Sequence, residues 1–189
     1  MTDKFKKPSE GKLLLHVCCA PCSGAIIEAL DAGGEKPVVF FSNSNIVPRE
    51  EYELRLAECR RYCLKYGLEV VEDSYDHAAW LQAVKGFEKE PERGARCLRC
   101  FAYRLERAAR YARENGFGVL TTSLASSRWK DLEQVDRAGA FACSLFPGVA
   151  WWGQNWRVCG LQERRNEIIK EQNFYNQNFC GCEFSKNKL

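Results

Sequence analysis

The sequence predicts an α/β fold, a three-layer sandwich in which a mostly parallel sheet lies between two layers of helices. Short apolar runs of strand length alternate with longer segments of helical periodicity, the order expected of a parallel α/β sheet. The apolar runs read as buried strands. The chain has 189 residues, which is enough for one domain whose core needs no disulfides.

The first half of the chain predicts three strands and two helices. An apolar strand at 13–17 leads to a helix that begins at Ser23 and ends at the glycine pair 33–34, because serine favours helix starts and glycine favours helix ends. Apolar and aromatic residues at helical spacing indicate the second helix. The other elements of this half are a strand at 37–43, a helix at 50–67 and a strand at 68–74.

The second half continues the alternation. A charged loop with proline and glycine, at 86–94, separates a short helix from a long one. We find no internal repeat and no low-complexity segment, so one doubly wound domain is the simplest prediction. The elements are helices at 76–86 and 97–115, a strand at 118–124, a helix at 130–146, a strand at 149–154 and a helix at 161–172.

The chain is expected to consist of a flexible polar tail at 1–11 and a single α/β domain at 12–189. The start of the sequence is polar, and the first apolar run is far too short to span a membrane. We therefore expect no signal peptide, no membrane partner and a cytoplasmic location. Twenty-eight Lys and Arg against 25 Asp and Glu give a net charge of +3, which is too mild to indicate a nucleic-acid partner.

Cysteine is the most informative residue type. Seven of the eleven cysteines fall into three tight groups, and in a reducing compartment such groups usually serve metal binding or catalysis. One four-coordinate metal cannot use seven thiols, so a cluster plus a second metal or a redox-active thiol is predicted. The domain at 12–189 is therefore expected to be a metal-binding catalytic domain. The groups are Cys18, Cys19 and Cys22; Cys97 and Cys100; and Cys180 and Cys182. The other four, expected to be ordinary packing residues, are Cys59, Cys63, Cys143 and Cys159.

The three groups differ in position and spacing. The segment Cys18–Cys22 follows the first strand, where ligands gather in α/β sheets, and it replaces the glycine-rich loop of nucleotide-binding proteins. No phosphate loop or dinucleotide fingerprint occurs elsewhere, so we expect neither ATP nor NAD. Cys97 and Cys100 have the spacing to bind one tetrahedral ion or one cluster face. Glycine between Cys180 and Cys182 lets the two sulfurs point to adjacent sites, one for each of two metals.

Five motifs of the chain occur together in one known family. They are H-x-C-C-A-P-C at 16–22, N-x-N-I-x-P-x-x-E-Y-x-x-R at 43–55, C-x-x-C at 97–100, T-T-x-L-x-S at 121–126 and Y-x-Q-N-F-C-G-C-x-F-S at 175–185. This combination resembles the QueH family, the cobalamin-independent epoxyqueuosine reductases. The resemblance runs from about Lys12 to Ser185, and the joint occurrence of CCAPC and YxQNxCGC is highly specific.

The resemblance implies removal of the epoxide oxygen from epoxyqueuosine at the tRNA wobble position, which gives queuosine. It implies a fold related to the adenine-nucleotide alpha-hydrolase-like (HUP, Rossmann-like) sheets. It further implies a 4Fe-4S cluster beside a second, mononuclear metal, for which we expect iron, and no cobalamin. Some relatives are similar but carry Asp in place of Cys22, which favours Cys22 as a ligand of the second metal. The expected partners are tRNAs for Tyr, His, Asn and Asp and a low-potential donor such as a ferredoxin or flavodoxin.

Other residues are candidates for supporting the chemistry or contacting the substrate. His16 and Tyr52 are the candidate catalytic or supporting residues, although a hydrogen-bonded core histidine is the favoured interpretation of His16. The arginines at 104, 107, 110 and 113 are expected to lie on a solvated helix face. Trp129, Trp151, Trp152 and Trp156 could stack on bases, with packing equally able to explain at least two. The candidate substrate contacts are Asn43, Asn45, Glu51, Arg55, Ser126, Arg96, Arg99, Gln177 and Asn178.

Two other classes of protein fit part of the pattern. A structural zinc protein that binds RNA would use the thiols without redox chemistry. A dithiol oxidoreductase or sulfur carrier would use the C-x-x-C pair alone. Zinc and iron are both at home with thiolates, so sulfur by itself does not distinguish these alternatives.

Overall fold

A computed structural model describes residues 5–188, with side chains described as far as Ser185. Its five-stranded sheet has the order β3-β2-β1-β4-β5, and neighbouring strands pair in parallel. This arrangement confirms the predicted α/β class. The strands are β1 (Leu13–His16), β2 (Val38–Phe41), β3 (Val70–Glu72), β4 (Val119–Thr122) and β5 (Ala150–Trp151).

Six α-helices flank the sheet in two layers. One layer holds α1, α2 and α6, and the other holds α3, α4 and α5, which gives the predicted three-layer sandwich. Two short 3-10 helices lie at Ser123–Ser126, directly after β4, and at Glu183–Lys188. The α-helices are α1 (Ala20–Ala32), α2 (Arg49–Lys65), α3 (His77–Ala83), α4 (Ala95–Glu114), α5 (Leu132–Ser144) and α6 (Leu161–Glu171).

The first helix begins earlier than predicted. It starts at Ala20, with Cys19 preceding it and Pro21 in the first turn, where proline is tolerated because its missing N–H has no helical partner. Ser23 does not cap the helix. Its hydroxyl instead donates to the carbonyls of Cys19 and Ala20. Cys22 therefore lies inside the first turn of α1 and not in a loop.

The strands form the centre of the core, and β1 and β4 are buried along their whole length. Cys59 and Cys63 are fully buried on α2, as predicted for packing residues, and Cys143 is buried on α5. Cys159 is exposed, so the expectation of a buried residue is wrong there. Of the four tryptophans considered for stacking, two are core residues, Trp152 and Trp156. Trp151 is half-buried, and Trp129 is 71% exposed.

The strand order reverses between β1 and β4, and this reversal locates the site. From β1 the strand order proceeds to β2 and β3 on one side of the sheet and to β4 and β5 on the other. The loops that follow β1 and β4 therefore diverge and leave a crevice at the carboxyl edge of the sheet. His16 at the end of β1 pairs in register with Thr122 at the end of β4. The segment with the first three cysteines and the turn at Ser123 therefore meet at this crevice.

The predicted N-terminal tail is described from Phe5 onward, and residues 1–4 of it lie outside the described residues. The ring of Phe5 lies 5.3 Å from that of Trp156, and Lys7 bridges to Glu35 at 2.7 Å. Among residues 5–188, no helix is long and apolar enough to cross a membrane.

Candidate metal centre

The first group of cysteines forms a compact cluster of three thiols. The sulfurs of Cys18, Cys19 and Cys22 all lie within 4.8 Å of one another, and those of Cys18 and Cys19 are 3.7 Å apart. β1 ends at His16, so the two cysteines that follow belong to the turn into α1. All three side chains are buried, and three clustered thiols can hold a metal ion.

Negative charge in this group concentrates on one sulfur. Hydrogen bonds from Cys19 and Cys22 hold the pKa of Cys18 well below its usual range. Hydrogen bonding to Cys18 and to Cys22 raises the pKa of Cys19, and hydrogen bonding to Cys18 raises the pKa of Cys22 to about 11. One thiolate stabilised by two thiols is a nucleophilic arrangement well suited to binding a soft metal.

The second and third groups come together from distant parts of the chain. Cys97 and Cys100 lie in the first turns of α4, and Cys182 shares a small buried cluster with Cys100. Burial raises the pKa of Cys97 to about 11, and the charges of Cys180 and Cys100 add to that rise. Thiols of the two motifs therefore lie near one another although about 80 residues separate the motifs in sequence. Among the described residues, however, Cys18, Cys19 and Cys22 form the group whose ligand atoms all lie within 4.8 Å of one another.

Cys180 carries the charge of this second set. A hydrogen bond from Cys182 lowers the pKa of Cys180 to about 5, and three cations add to the shift: Lys130, Arg104 and Arg55. Lys130 is half-buried on the loop after β4. Burial acts to lower the pKa of Lys130, but the charges of Cys180, Cys18, Cys22 and Cys19 outweigh burial and raise it. The charge of Lys130 thus interacts with both sets of thiols.

Helix α2 holds the C-terminal cysteine pair in place. Arg55 is 4% exposed, and it donates to the carbonyls of Cys180 (3.0 Å) and Phe179 (3.3 Å). Glu51 accepts from Arg55 at 2.7 Å. The Gly181 backbone has φ +116°, and a Cβ there would lie 3.1 Å from an Arg55 nitrogen. Only glycine suits this close approach at a positive φ.

A buried polar network lies beneath the site. Arg104 donates to the Ser42 carbonyl at 3.1 Å and to the side-chain oxygen of Asn43, whose amide donates to the Val17 carbonyl at 2.9 Å. Arg104 is 1% exposed, so the predicted solvated face is wrong for this arginine. Its position four residues after Cys100, on the same helix face, is the signal that could have identified it.

His16 belongs to the same network. Its Nε2–H donates to the Ser42 carbonyl (3.1 Å), which leaves Nδ1 to accept from the Thr122 hydroxyl (2.7 Å). Burial, followed by the charge of Arg104, lowers the pKa of His16 to about 3. His16 is therefore a neutral, fully hydrogen-bonded side chain.

Two further side chains contact the cysteine sulfurs directly. The Gln177 amide donates to the Cys19 sulfur at 2.8 Å. The Ser123 hydroxyl lies 3.4 Å from the Cys18 sulfur and accepts from the Cys18 backbone N–H at 3.0 Å. Sequence reasoning included Gln177 but missed Ser123, although Ser123 stands inside the T-T-x-L-x-S motif.

The remaining candidates occupy three kinds of position. Tyr52 is a core residue whose hydroxyl donates to Glu72 at 3.0 Å, and Asn45 and Ser126 are buried near the ends of β2 and β4. Arg96 is also buried; it donates to the carbonyls of Glu88 and Glu90 and lies over the ring of Phe184. Arg99 and Asn178 are exposed. The predicted contacts of these residues with substrate stay predictions.

The donor set fits a thiol-ligated metal centre. Three buried thiols converge after β1, and the charge of Lys130 favours the deprotonated forms of Cys18 and of Cys180, one thiol from each set. The fold and the site together define an α/β protein with a metal-binding cysteine site at the switch point of a doubly wound sheet.

Comparison with known proteins identifies the family. A family model described as Epoxyqueuosine reductase QueH matches residues 13–188. The epoxyqueuosine reductase QueH of Histophilus somni is 47% identical over 174 residues, which cover 92% of this chain and 72% of that protein. The proteins of the same name from Acinetobacter baylyi and Haemophilus influenzae are 46% and 44% identical, covering 96% and 97% of this chain and 84% and 75% of their own lengths. The chain belongs to the QueH family of epoxyqueuosine reductases, which are oxidoreductases.

Proposed function

We propose that this protein removes the epoxide oxygen of epoxyqueuosine at the wobble position of tRNA, with a 4Fe-4S cluster and a second metal, iron, held by the seven cysteines. The observation that carries the proposal is the cluster of three buried thiols, Cys18, Cys19 and Cys22, together with Lys130, whose charge interacts with this group and with Cys180. A single metal would use no more than four of the seven cysteines.

The reaction sets what the site has to supply. Conversion of an epoxide to an alkene consumes two electrons and two protons and releases the oxygen as water. When bound, an iron-sulfur cluster supplies electrons singly and a second metal supplies a Lewis acid for the oxygen. We propose a low-potential ferredoxin or flavodoxin as the source of the electrons.

The chain's own residues hold and orient this machinery. We propose that Cys97 and Cys100 bind the cluster, since their C-x-x-C spacing suits one cluster face. Cys22 is assigned to the second metal, which its place among three clustered sulfurs supports. Lys130, Arg104 and Arg55 offset the negative charge of the thiolates, and the buried network of His16 and Arg104 keeps the crevice rigid.

The tRNA is proposed to approach over the loop that follows β4. Arg157 donates to the carbonyls of Ser127 (2.7 Å) and Lys130 (2.9 Å), so the backbone of this loop is fixed. Trp129 projects from it beside Lys130, and the Arg128 guanidinium lies 5.1 Å from its ring centroid. An exposed ring beside a cation is a stacking surface for an unpaired base. A wobble base is already unpaired, so its insertion costs less than flipping from a duplex.

The proposal is tested by anaerobic reconstitution with iron and sulfide, followed by reaction with tRNA that contains epoxyqueuosine and a strong reductant. The nucleosides are then digested and quantified by mass spectrometry. We expect brown protein with matching iron and acid-labile sulfide, and conversion to queuosine. A fully loaded protein that forms no queuosine would overturn the proposed function.

The same experiment distinguishes the alternative classes. A structural zinc protein would be colourless and would retain zinc after anaerobic purification. A dithiol oxidoreductase would remain active after its metals were removed. Matching iron and sulfide with metal-dependent activity would eliminate both alternatives.

A further inference from the structure

Trp80 is a fully buried tryptophan that packs against two of the seven cysteines. It lies on α3, is 0% exposed and shares a small buried cluster with Cys100 and Cys182. The His77 ring stacks on it at 5.3 Å between centroids, and the Phe184 ring lies at 6.1 Å. The indole is therefore held between α3, α4 and the segment that carries the last cysteines, with little freedom to reorient.

The indole nitrogen of Trp80 is the unusual feature of this cluster. Nε1–H is buried, and within residues 5–188 it has no hydrogen-bond acceptor at normal geometry. Buried N–H groups almost always have a partner, because leaving one unpaired costs free energy. An unpaired, immobilised donor beside cysteines indicates a partner that accepts hydrogen bonds better than a neutral thiol does.

The thiols of the same cluster supply that partner. Helix α3 packs on α4, and this packing places the Trp80 indole in one buried cluster with Cys100. Cys100 belongs to the C-x-x-C pair for which a metal-binding role is proposed. A deprotonated sulfur is a much stronger acceptor than a thiol, and metal binding deprotonates cysteine.

We propose that Trp80 is a positioning residue of the metal centre, whose Nε1–H donates a hydrogen bond to the Cys100 sulfur when that sulfur is a metal-bound thiolate. The inference rests on the proposed function, because it requires Cys100 to be a cluster ligand. Hydrogen bonds to ligand sulfurs stabilise the more negative, reduced form of a cluster. Trp80 thus raises the reduction potential of the centre.

The test is a redox titration of the reconstituted protein, followed by visible absorption and electron paramagnetic resonance. Two changes remove the N–H: Trp80→Phe, and replacement of Trp80 by benzothienylalanine, a tryptophan analogue in which sulfur takes the place of the indole N–H. The analogue keeps the size and shape of the ring. Trp156→Phe is the matched control, since Trp156 is equally buried but donates to Thr121, at 3.3 Å, within the core.

We expect both changes at position 80 to lower the midpoint potential with unchanged iron and sulfide content, and the control to leave the potential at its wild-type value. An unshifted potential in the benzothienylalanine protein would overturn the inference, even if Trp80→Phe lost metal, because Trp80 would then act by packing alone. These outcomes need no tRNA. A wild-type protein that assembled no cluster would instead overturn the proposed function, and this inference with it.

Discussion

The guanidinium of Arg55 lies 3.0 Å from the carbonyl oxygen of Cys180, so helix α2 fixes the backbone of a segment 125 residues further along the chain. Glu51, one turn earlier in α2, accepts from the same guanidinium, and Tyr175 donates to Glu51 at 3.1 Å. The N-x-N-I-x-P-x-x-E-Y-x-x-R motif therefore has a structural role that its position in sequence does not reveal. It anchors the C-G-C pair.

Loss of this anchor is expected to release the last two cysteines. Arg55→Met leaves the Glu51 carboxylate without its charged partner, and breaking a buried ion pair costs about 3 to 5 kcal/mol. We expect lower iron content per chain and lower stability, measured by metal analysis and urea unfolding. Arg55→Lys, which keeps the charge but loses the planar donor fork, should retain part of the iron.

Arg60→Met is the control for this prediction, because Arg60 is exposed and pairs with Glu72 at the surface. Exposed pairs contribute about 0 to 1 kcal/mol, so iron content should not change. Full iron occupancy in Arg55→Met would show that the C-G-C segment does not need α2.

The division of the cysteines into ligands and packing residues predicts opposite effects for two similar substitutions. Cys182→Ala is expected to abolish queuosine formation, since it removes one of the seven thiols of the site. Cys143→Ala should leave activity largely intact at a cost of about 1 kcal/mol in stability from a small cavity, because burial keeps the thiol protonated by raising the pKa of Cys143 to about 12. Equal loss of activity in the two variants would contradict the division.

Trp129 is expected to contribute to tRNA binding. Stacking of one base on an aromatic ring is worth about 1 to 3 kcal/mol, so Trp129→Ala should raise KM for tRNA about 5- to 150-fold with little change in kcat. Trp129→Phe should restore much of the affinity. Phe141→Ala removes another exposed ring, 55% accessible on α5, and serves as the control. If the two alanine variants bind tRNA equally well, the loop after β4 is not the contact surface.

The pKa of Cys180 predicts a pH-dependent reactivity in protein stripped of metal. A hydrogen bond from Cys182 and nearby cations lower the pKa of Cys180 to about 5, whereas the pKa of Cys182 is raised by the same contact. Thiolates, not thiols, react with iodoacetamide. Cys180 should therefore be alkylated faster than Cys182 at pH 7, and its rate should fall as the pH is lowered through about 5.

The measurement is peptide mass spectrometry of alkylated protein at a series of pH values, with circular dichroism to verify the fold. The half-buried Cys97, whose pKa is raised to about 11, gives an internal comparison and should react slowly at pH 7. If the alkylation rate of Cys180 already falls as the pH is lowered below 8 or 9, Cys180 has the pKa of an ordinary thiol and the prediction is wrong.

The sequence by itself determined the layered fold and the family resemblance, and it predicts the sorting of the cysteines. These follow from local information: apolar periodicity, turn residues and cysteine spacing. The start of α1 was misplaced by three residues, since Ser23 looks like a cap in sequence while Pro21 is tolerated in the first turn.

Only the tertiary structure decided which distant groups meet. The reversal of strand order between β1 and β4 brings Ser123 to Cys18, and the packing of α3 on α4 brings Trp80 to Cys100. Arg104 lies in an arginine-rich helix, and its burial depends on its contact with Ser42, the residue that follows β2. Such contacts span from about 20 to more than 100 residues, and spacing along the chain carries no information about them.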